Sequence, residues 1–252
     1  MFANMLKEER LQKILSLLEK DKRVLLSELS RELYVSEDTV RRDIRELSLK
    51  GLLHMVRGGA VPHAPGPKPF HDRIHFASSD KQVMATKALS LLKDGQVVIF
   101  DGGTSTLAVA SILPPELKIT VVTNSFPIAN LLATHPCVQV LFAGGRLYKE
   151  SIVTVGLEST RFFGQIRADL CFMGVCSIHL ELGLTNDSYE ESEVKMAMIA
   201  HSRKVVALTT PEKIDTAESY YICPAAAVNT IITPGTCEHM LEPFRSAGIT
   251  IL

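Results

Sequence analysis

The sequence predicts an α/β protein in two parts: a small helical module closed by a β-hairpin, then a larger Rossmann-like, mostly parallel sheet. Three observations carry this expectation. The first sixty residues show helical spacing followed by a Gly58-Gly59 pair. Composition then breaks at the run Val61-Pro-His-Ala-Pro-Gly-Pro-Lys-Pro69, where four prolines forbid helix continuation and favour an extended connection. Beyond it, short apolar runs alternate with helical patterns, which is how strands buried on both faces of a parallel sheet read. The expected division is residues 1–62, a linker over 63–79, and residues 80–252.

In the first part, Leu6, Ile14, Leu17 and Leu18 fall on one helical face with Leu11 beside them. Val24-Leu25 is a short extended piece, and Ser27 is a candidate N-cap for a second helix through Leu33. Tyr34-Val35 is the turn. Ser36 caps a third helix running to about Lys50, with Glu37 and Asp38 in the first turn, where the helix dipole favours negative charge. Gly51 closes it, and Leu52 to Val61 forms a hairpin around Gly58-Gly59. The ordered set of three helices and a hairpin is a winged helix-turn-helix.

In the second part, strands are expected at Val97–Phe100, Ile119–Val122, Val138–Phe142, Leu170–Met173, Val205–Leu208, Thr230–Ile232 and Ile249–Leu252. Helical patterns fill Lys81–Leu92, Ser105–Leu113, Glu190–His201 and Cys237–Ala247.

The third helix has the pattern of a major-groove reader. Val40, Ile44 and Leu47 fall at i, i+4 and i+7 and pack inward, leaving Thr39, Arg41, Arg42 and Arg45 mostly outside that stripe. Arginine binds guanine bidentately, contributing about 1–3 kcal/mol of discrimination per good pair. With Ser36 at the helix start, these residues form the expected reading surface, while Lys50, His54 and Arg57 are placed for phosphates. The bland alternative is a solvated helix with pairs such as Arg42–Glu46; the complete module argues against it. The formal net charge of −1 neither announces nor excludes nucleic acid, so any basic footprint must be local.

In the second part, the Val97–Phe100 strand runs into Asp101-Gly-Gly-Thr-Ser-Thr106 and then a helix. Glycines permit close backbone approach, and hydroxyls beside free N–H groups at a helix start suit an anion. The loop stands at the carboxyl end of a strand, where open α/β sheets bind ligands. It is neither a Walker loop nor GxGxxG.

The five cysteines, Cys137, Cys171, Cys176, Cys223 and Cys237, form no CxxC pair and read as reduced core thiols. Cys171 and Cys176 with His179 have metal-ligand residue types, but core packing is the simpler reading, and neither a metal nor a cofactor is expected. No apolar run approaches the ~18 residues needed to span a bilayer, and the start of the chain lacks a secretory pattern. The expectation is a cytoplasmic protein without membrane contact.

The segments Leu26-Ser-Glu-Leu-Ser30, Val35-Ser-Glu-Asp-Thr-Val-Arg-Arg-Asp-Ile44 and Gly51-Leu-Leu to Arg57-Gly-Gly-Ala60 resemble the DeoR family of bacterial regulators. So do Thr123-Asn-Ser125, Gly144-Gly145, Ser151 with Gly156, Asp169, Phe172-Met-Gly174, Gly183-Leu-Thr185, and Glu191 with Lys195, Met198 and Lys213. The resemblance spans nearly the whole chain. It implies a sensor domain similar to ribose-5-phosphate isomerase that binds phosphorylated sugars. Asp101 belongs to the implied effector site; Gly103, Thr104, Ser105 and Thr106 would hold the phosphate, and Asp169, Glu191, Lys195 and Lys213 would face the sugar. It also implies operator DNA and a second copy of the chain, as a homodimer or tetramer, as partners. Three departures stand out. Thr210 occupies a place usually acidic, Cys176 and Leu182 stand where small residues are usual, and His54 and Arg57 exchange residue types across the wing.

Two functions follow. One is a non-enzymatic repressor of a carbohydrate-catabolic operon, relieved by a phosphorylated sugar. The other is a sugar-phosphate isomerase or deaminase with an appended helical module, Glu191 acting as base. The winged module favours the first.

Overall fold

The computed structural model describes residues 5–64, 69–235 and 238–252. The N-terminal module runs α1 (Lys7–Asp21), β1 (Val24–Leu25), α2 (Leu26–Leu33), α3 (Glu37–Leu49), β2 (His54–Val56) and β3 (Gly59–Val61). Its core is closed by Leu11, Ile14 and Leu18 of α1, Leu29 and Leu33 of α2, and Val40, Ile44 and Leu47 of α3. The helices are fixed further by a buried pair: Arg10 on α1 donates through Nε and Nη2 to the two carboxylate oxygens of Asp43 on α3. The three strands form an antiparallel sheet in the order β1-β3-β2. Gly59 is obligatory there, since a Cβ at this position would stand 1.9 Å from the Val24 carbonyl oxygen.

Ser36 caps α3 as expected, its hydroxyl accepting from Thr39 N at 3.2 Å. Ser27 does not cap α2. That helix begins at Leu26, two residues before the start that a Ser27 cap implies, with no side-chain cap, and Leu26 N donates instead to Gly58 O of the hairpin.

The expected linker over 63–79 is not wholly extended. It holds α4 (Phe70–His75) and the start of α5 (Ser78–Leu89), and Phe70 is buried. Pro69 sits at the N-cap of α4, where a fixed φ favours entry to a helix; Pro65 and Pro67 lie outside the described residues.

The rest of the chain continues β4 (Val97–Phe100), α6 (Thr104–Ser111), β5 (Thr120–Thr123), α7 (Phe126–Leu132), β6 (Gln139–Phe142), β7 (Arg146–Tyr148), β8 (Val153–Val155), α8 (Leu157–Gly164), β9 (Leu170–Gly174), β10 (Ser177–His179), β11 (Gly183–Asn186), α9 (Tyr189–Ala200), β12 (Val205–Leu208), β13 (Tyr220–Cys223), β14 (Thr230–Ile232), α10 (Glu238–Ser246) and β15 (Thr250–Ile251). All seven expected strands form one parallel sheet in the order β15-β14-β12-β9-β4-β5-β6. Alternation along β4 explains its placement between two layers. Ile99 faces a core shared with α8, α9 and α10, whereas Val98 and Phe100 face one shared with α5, α6 and α7.

Two smaller sheets, β7-β8 and β10-β11-β13, were not expected. They matter because they cover the carboxyl end of the main sheet. The order of strands reverses between β4 and β9: β5 and β6 lie to one side, and β12, β14 and β15 to the other. This switch point opens a crevice at the strand ends.

Candidate functional site

Two surfaces stand out. On the N-terminal module, Arg41, Arg42 and Arg45 of α3 are exposed, and Thr39 is half-buried beside the Ser36 hydroxyl, 3.0 Å away. Arg42 pairs with Asp38, one turn earlier, rather than with Glu46. Glu46 instead accepts from Lys7 and Lys50, which hold its carboxyl down to about 2. Arg41 lies along a cleft between α3 and the wing, bounded by Met55, Val56 and Gly58. Arg57 is exposed at the hairpin tip. His54 differs from the others: its ring packs against His63, centroids 4.2 Å apart, with Nε2 buried.

The second surface is a cavity of about 220 Å³ at the switch point. The loop after β4 supplies Gly103, Thr104 and Ser105, and the loop after β9 supplies Gly174, Val175 and Cys176. Thr210 and Lys213 follow β12, and Glu191 and Lys195, one helical turn apart on α9, close the floor. Gly103 has φ +127°, a conformation open to glycine, and it turns the chain into α6. The first-turn N–H groups of α6 have no intrahelical acceptor and open toward the cavity with the helix dipole behind them.

The cavity lining balances four cations, Arg73, Lys81, Lys195 and Lys213, against four carboxylates, Glu150, Asp187, Glu191 and Glu212. Lys195 is buried and forms an ion pair with Asp101, while its ammonium also donates to Gly174 O at 3.1 Å. Burial opposes its charge, but Asp101 and Glu191 outweigh that and hold the amine above its ordinary value. Lys213 donates to Val175 O at 2.9 Å, and burial pushes its amine down. Burial pushes the Glu191 carboxyl up; one of its oxygens accepts from Ser151 Oγ at 3.3 Å.

Several expected site residues take other places. Asp101 is buried beneath the cavity as the partner of Lys195, and its Oδ2 also accepts from Gly174 N at 2.9 Å. Thr106 is fully buried, its hydroxyl donating to Gly103 O at 2.9 Å, so it shapes the loop from behind. Asp169 precedes β9, and its carboxylate accepts from Val97 N at 2.9 Å at the start of β4. The cavity is at the other end of that five-residue strand, about 16 Å away, so Asp169 does not face it. Leu182 is not among the cavity residues, but Cys176 and Thr210 are.

Sequence reasoning missed Arg73, Lys81, Tyr148, Asn186 and Glu212. Arg73 belongs to the expected linker and Lys81 to the start of the helix expected just after it, and α4 and α5 carry them to the cavity rim. Arg73 donates to Ser151 Oγ at 3.2 Å, and its Nε is buried without a partner. Lys81 donates to Arg73 O and Phe76 O; burial, with Lys213 and Arg73 nearby, lowers its amine to about 8. The acidic group absent at Thr210 is supplied two residues on, where Glu212 accepts a hydrogen bond from the Thr210 hydroxyl.

The cysteines and His179 gather into no metal-binding group among the described residues: the His179 Nδ1 accepts from Glu181 N and Leu182 N. Cys237 lies outside the described residues. No helix among those described is long and apolar enough to cross a membrane.

Family models match both parts of the chain: a DeoR-like helix-turn-helix domain over residues 10–64 and a DeoR C-terminal sensor domain over residues 77–234. The chain is 32% identical over 246 residues to the HTH-type transcriptional regulator GolR of Listeria innocua, covering 96% of this chain and 97% of the relative. It is 30% identical to the HTH-type transcriptional repressor GlcR of Bacillus subtilis (91% and 89% covered) and to the glycerol-3-phosphate regulon repressor of Escherichia coli K12 (79% and 80%). Among solved structures it is similar to ribose 5-phosphate isomerase A from Methanocaldococcus jannaschii, with 17% identity, TM-score 0.38, and 53% and 52% of the two chains covered. With two family models matching in order and regulators similar over nearly the full length, the chain belongs to the DeoR family of transcriptional regulators.

Proposed function

We propose that this chain represses a carbohydrate-catabolic operon and releases its operator when a phosphorylated sugar fills the switch-point cavity. The observation that carries this reading is the cavity itself, where open N–H groups of α6 and the ammonium groups of Lys81 and Lys213 converge. Open N–H groups with a helix dipole suit a phosphate, and buried carboxylates such as Glu191 suit sugar hydroxyls. Gly103, Thr104 and Ser105 take the phosphate, and Glu191, Lys195 and Lys213 flank the sugar. One relative is named the glycerol-3-phosphate regulon repressor, which supports a phosphorylated ligand.

Operator reading falls to Thr39, Arg41, Arg42 and Arg45, with Ser36, Lys50 and Arg57 on phosphates. The protein acts in the cytoplasm as a homo-oligomer, so that two modules meet repeated half-sites. It is a sensor and not a catalyst: the relatives similar over most of its length are named as regulators. Release is a coupling free energy, so the effector must bind the DNA-free state more tightly than the DNA-bound state.

Selection of operator fragments from a random DNA library, followed by titration with a panel of sugar phosphates, tests this. The expected result is a repeated half-site motif, lost in R41A/R45A, and release by at least one phosphorylated sugar. Binding without sequence preference, or no thermal stabilisation by any sugar phosphate, overturns the reading.

A further inference from the structure

Outside the effector cavity, one group of side chains has ligand chemistry and no use in the reading above. His54 lies on β2 opposite Val61 of β3. His63 is two residues beyond Val61, so it rises on the same face and meets His54 diagonally. The third member is Glu218, in the loop ahead of β13, some 155 residues away in sequence. Its Oε1 accepts from Ala64 N at 2.9 Å, its Oε2 stands 3.3 Å from His63 Nδ1, and its own N–H donates to Thr185 Oγ1 at 2.8 Å. Next to it, Ala217 N donates to Pro62 O at 3.3 Å. The end of the wing and the loop ahead of β13 therefore meet here through one backbone hydrogen bond and the Glu218 carboxylate.

Two features of the group are not explained by a hydrogen-bonded pair. The Nε2 atoms of both His54 and His63 are buried with no partner, although a buried ring nitrogen left unmatched costs free energy. One ring nitrogen from each histidine and one Glu218 oxygen also lie within 4.8 Å of one another, so a single ion can be reached by all three. Ligands on a tetrahedral zinc at about 2.0–2.1 Å stand about 3.3 Å apart, which is the His63–Glu218 spacing. Two imidazoles and a carboxylate form a three-ligand set with a fourth position left to water.

We propose that His54, His63 and Glu218 bind one divalent transition-metal ion of the zinc class, clasping the β2–β3 hairpin to the loop ahead of β13. The ion takes one ring nitrogen from each histidine, on His63 the Nδ1 that already stands 3.3 Å from Glu218 Oε2, and takes up the Glu218 charge. Because the three ligands come from the wing, the chain just beyond it and the sensor part, the metal fixes the angle between reader and sensor. The site is separate from the effector cavity and does not depend on which sugar, if any, binds there.

Isothermal titration of zinc(II) into the metal-free full-length protein tests the proposal, with cobalt(II) as an optical probe. Loss of a hydrogen-bonding partner behind a metal ligand weakens binding about 10–100-fold, so removing a ligand should cost at least that. The expected result is one ion per chain, weakened at least about tenfold in each of H54N, H63N and E218Q. The cobalt(II) form should show the intense visible bands of a four-coordinate ion, lost in H63N. The asparagine and glutamine variants keep polarity and volume near native, and unchanged circular dichroism confirms that they fold. Absence of stoichiometric binding, or unchanged zinc affinity in either histidine variant, overturns the proposal and assigns any bound metal to other thiols or histidines.

Discussion

Replacing Lys195 by Met tests the reading of the cavity floor. The side chains of Lys195 and Asp101 are 6% and 4% exposed, so the substitution leaves the Asp101 carboxylate buried without its cation. Breaking a buried pair in this way costs about 3–5 kcal/mol, because desolvation of the remaining charge is no longer offset. For a protein of this size, that corresponds to a fall in Tm of about 6–20 °C. The chain has no tryptophan, so unfolding is best followed by far-UV circular dichroism in urea. The second arm is D101N/K195M. Asparagine keeps an acceptor for Gly174 N, bonded to Asp101 at 2.9 Å, and removes the orphan charge. The double variant should therefore recover to within about 1–3 kcal/mol of the native protein. A K195M cost below about 1 kcal/mol, or a double variant no more stable than K195M, would refute the assignment of Lys195 and Asp101 as a buried ion pair.

Three further outcomes are expected. Gly59→Ala forces a Cβ against the Val24 carbonyl and should cost about 1–3 kcal/mol of module stability; gel shifts should show weakened operator binding while effector affinity is retained. Phe172→Ala empties the space beside Phe100 in the centre of the sheet, where ring centroids lie 5.2 Å apart, and should cost about 3–5 kcal/mol in urea unfolding. Lys81 has its amine lowered to about 8, so it is charged below that pH and neutral above it. Calorimetric affinity for a sugar phosphate should then fall as pH rises through about 8 and beyond, and K81M should remove that inflection. A flat profile in the native protein would detach Lys81 from the ligand.

Much of the fold could be read from periodicity. The seven strands of the main sheet are apolar runs such as Val97–Phe100 and Val205–Leu208, and α3 declares itself through Ser36, the Val40–Ile44–Leu47 stripe and Gly51. What escaped reading was decided by tertiary contact. Strands β7, β8, β10, β11 and β13 are three or four residues long, too short for a period to register, and β13 pairs with β11 across the intervening α9 and β12. The helix α4 follows a proline-rich run whose composition points to an extended chain, but burial of Phe70 fixes it in place. The site shows the same division. The loop Gly103–Ser105 was legible because strand, glycines and hydroxyls are contiguous. Arg73 and Lys81 were not, because nothing local marks a cation that acquires its role only when the sheet turns its carboxyl ends toward it. Asp169 illustrates the converse error: a strand-flanking acid is visible in sequence, but which end of the sheet it occupies decides what it meets.

The placement of Arg73, Phe76 and Lys81 on the cavity wall has a practical consequence for building hybrid regulators. The tether between the two parts is also lining of the sensor's chamber. A graft that joins a foreign DNA reader after residue 81 would discard three wall residues with the native module, and on the proposed reading of the cavity the hybrid would lose its ligand response even with both parts well folded. Junctions ahead of Phe70 keep the chamber whole.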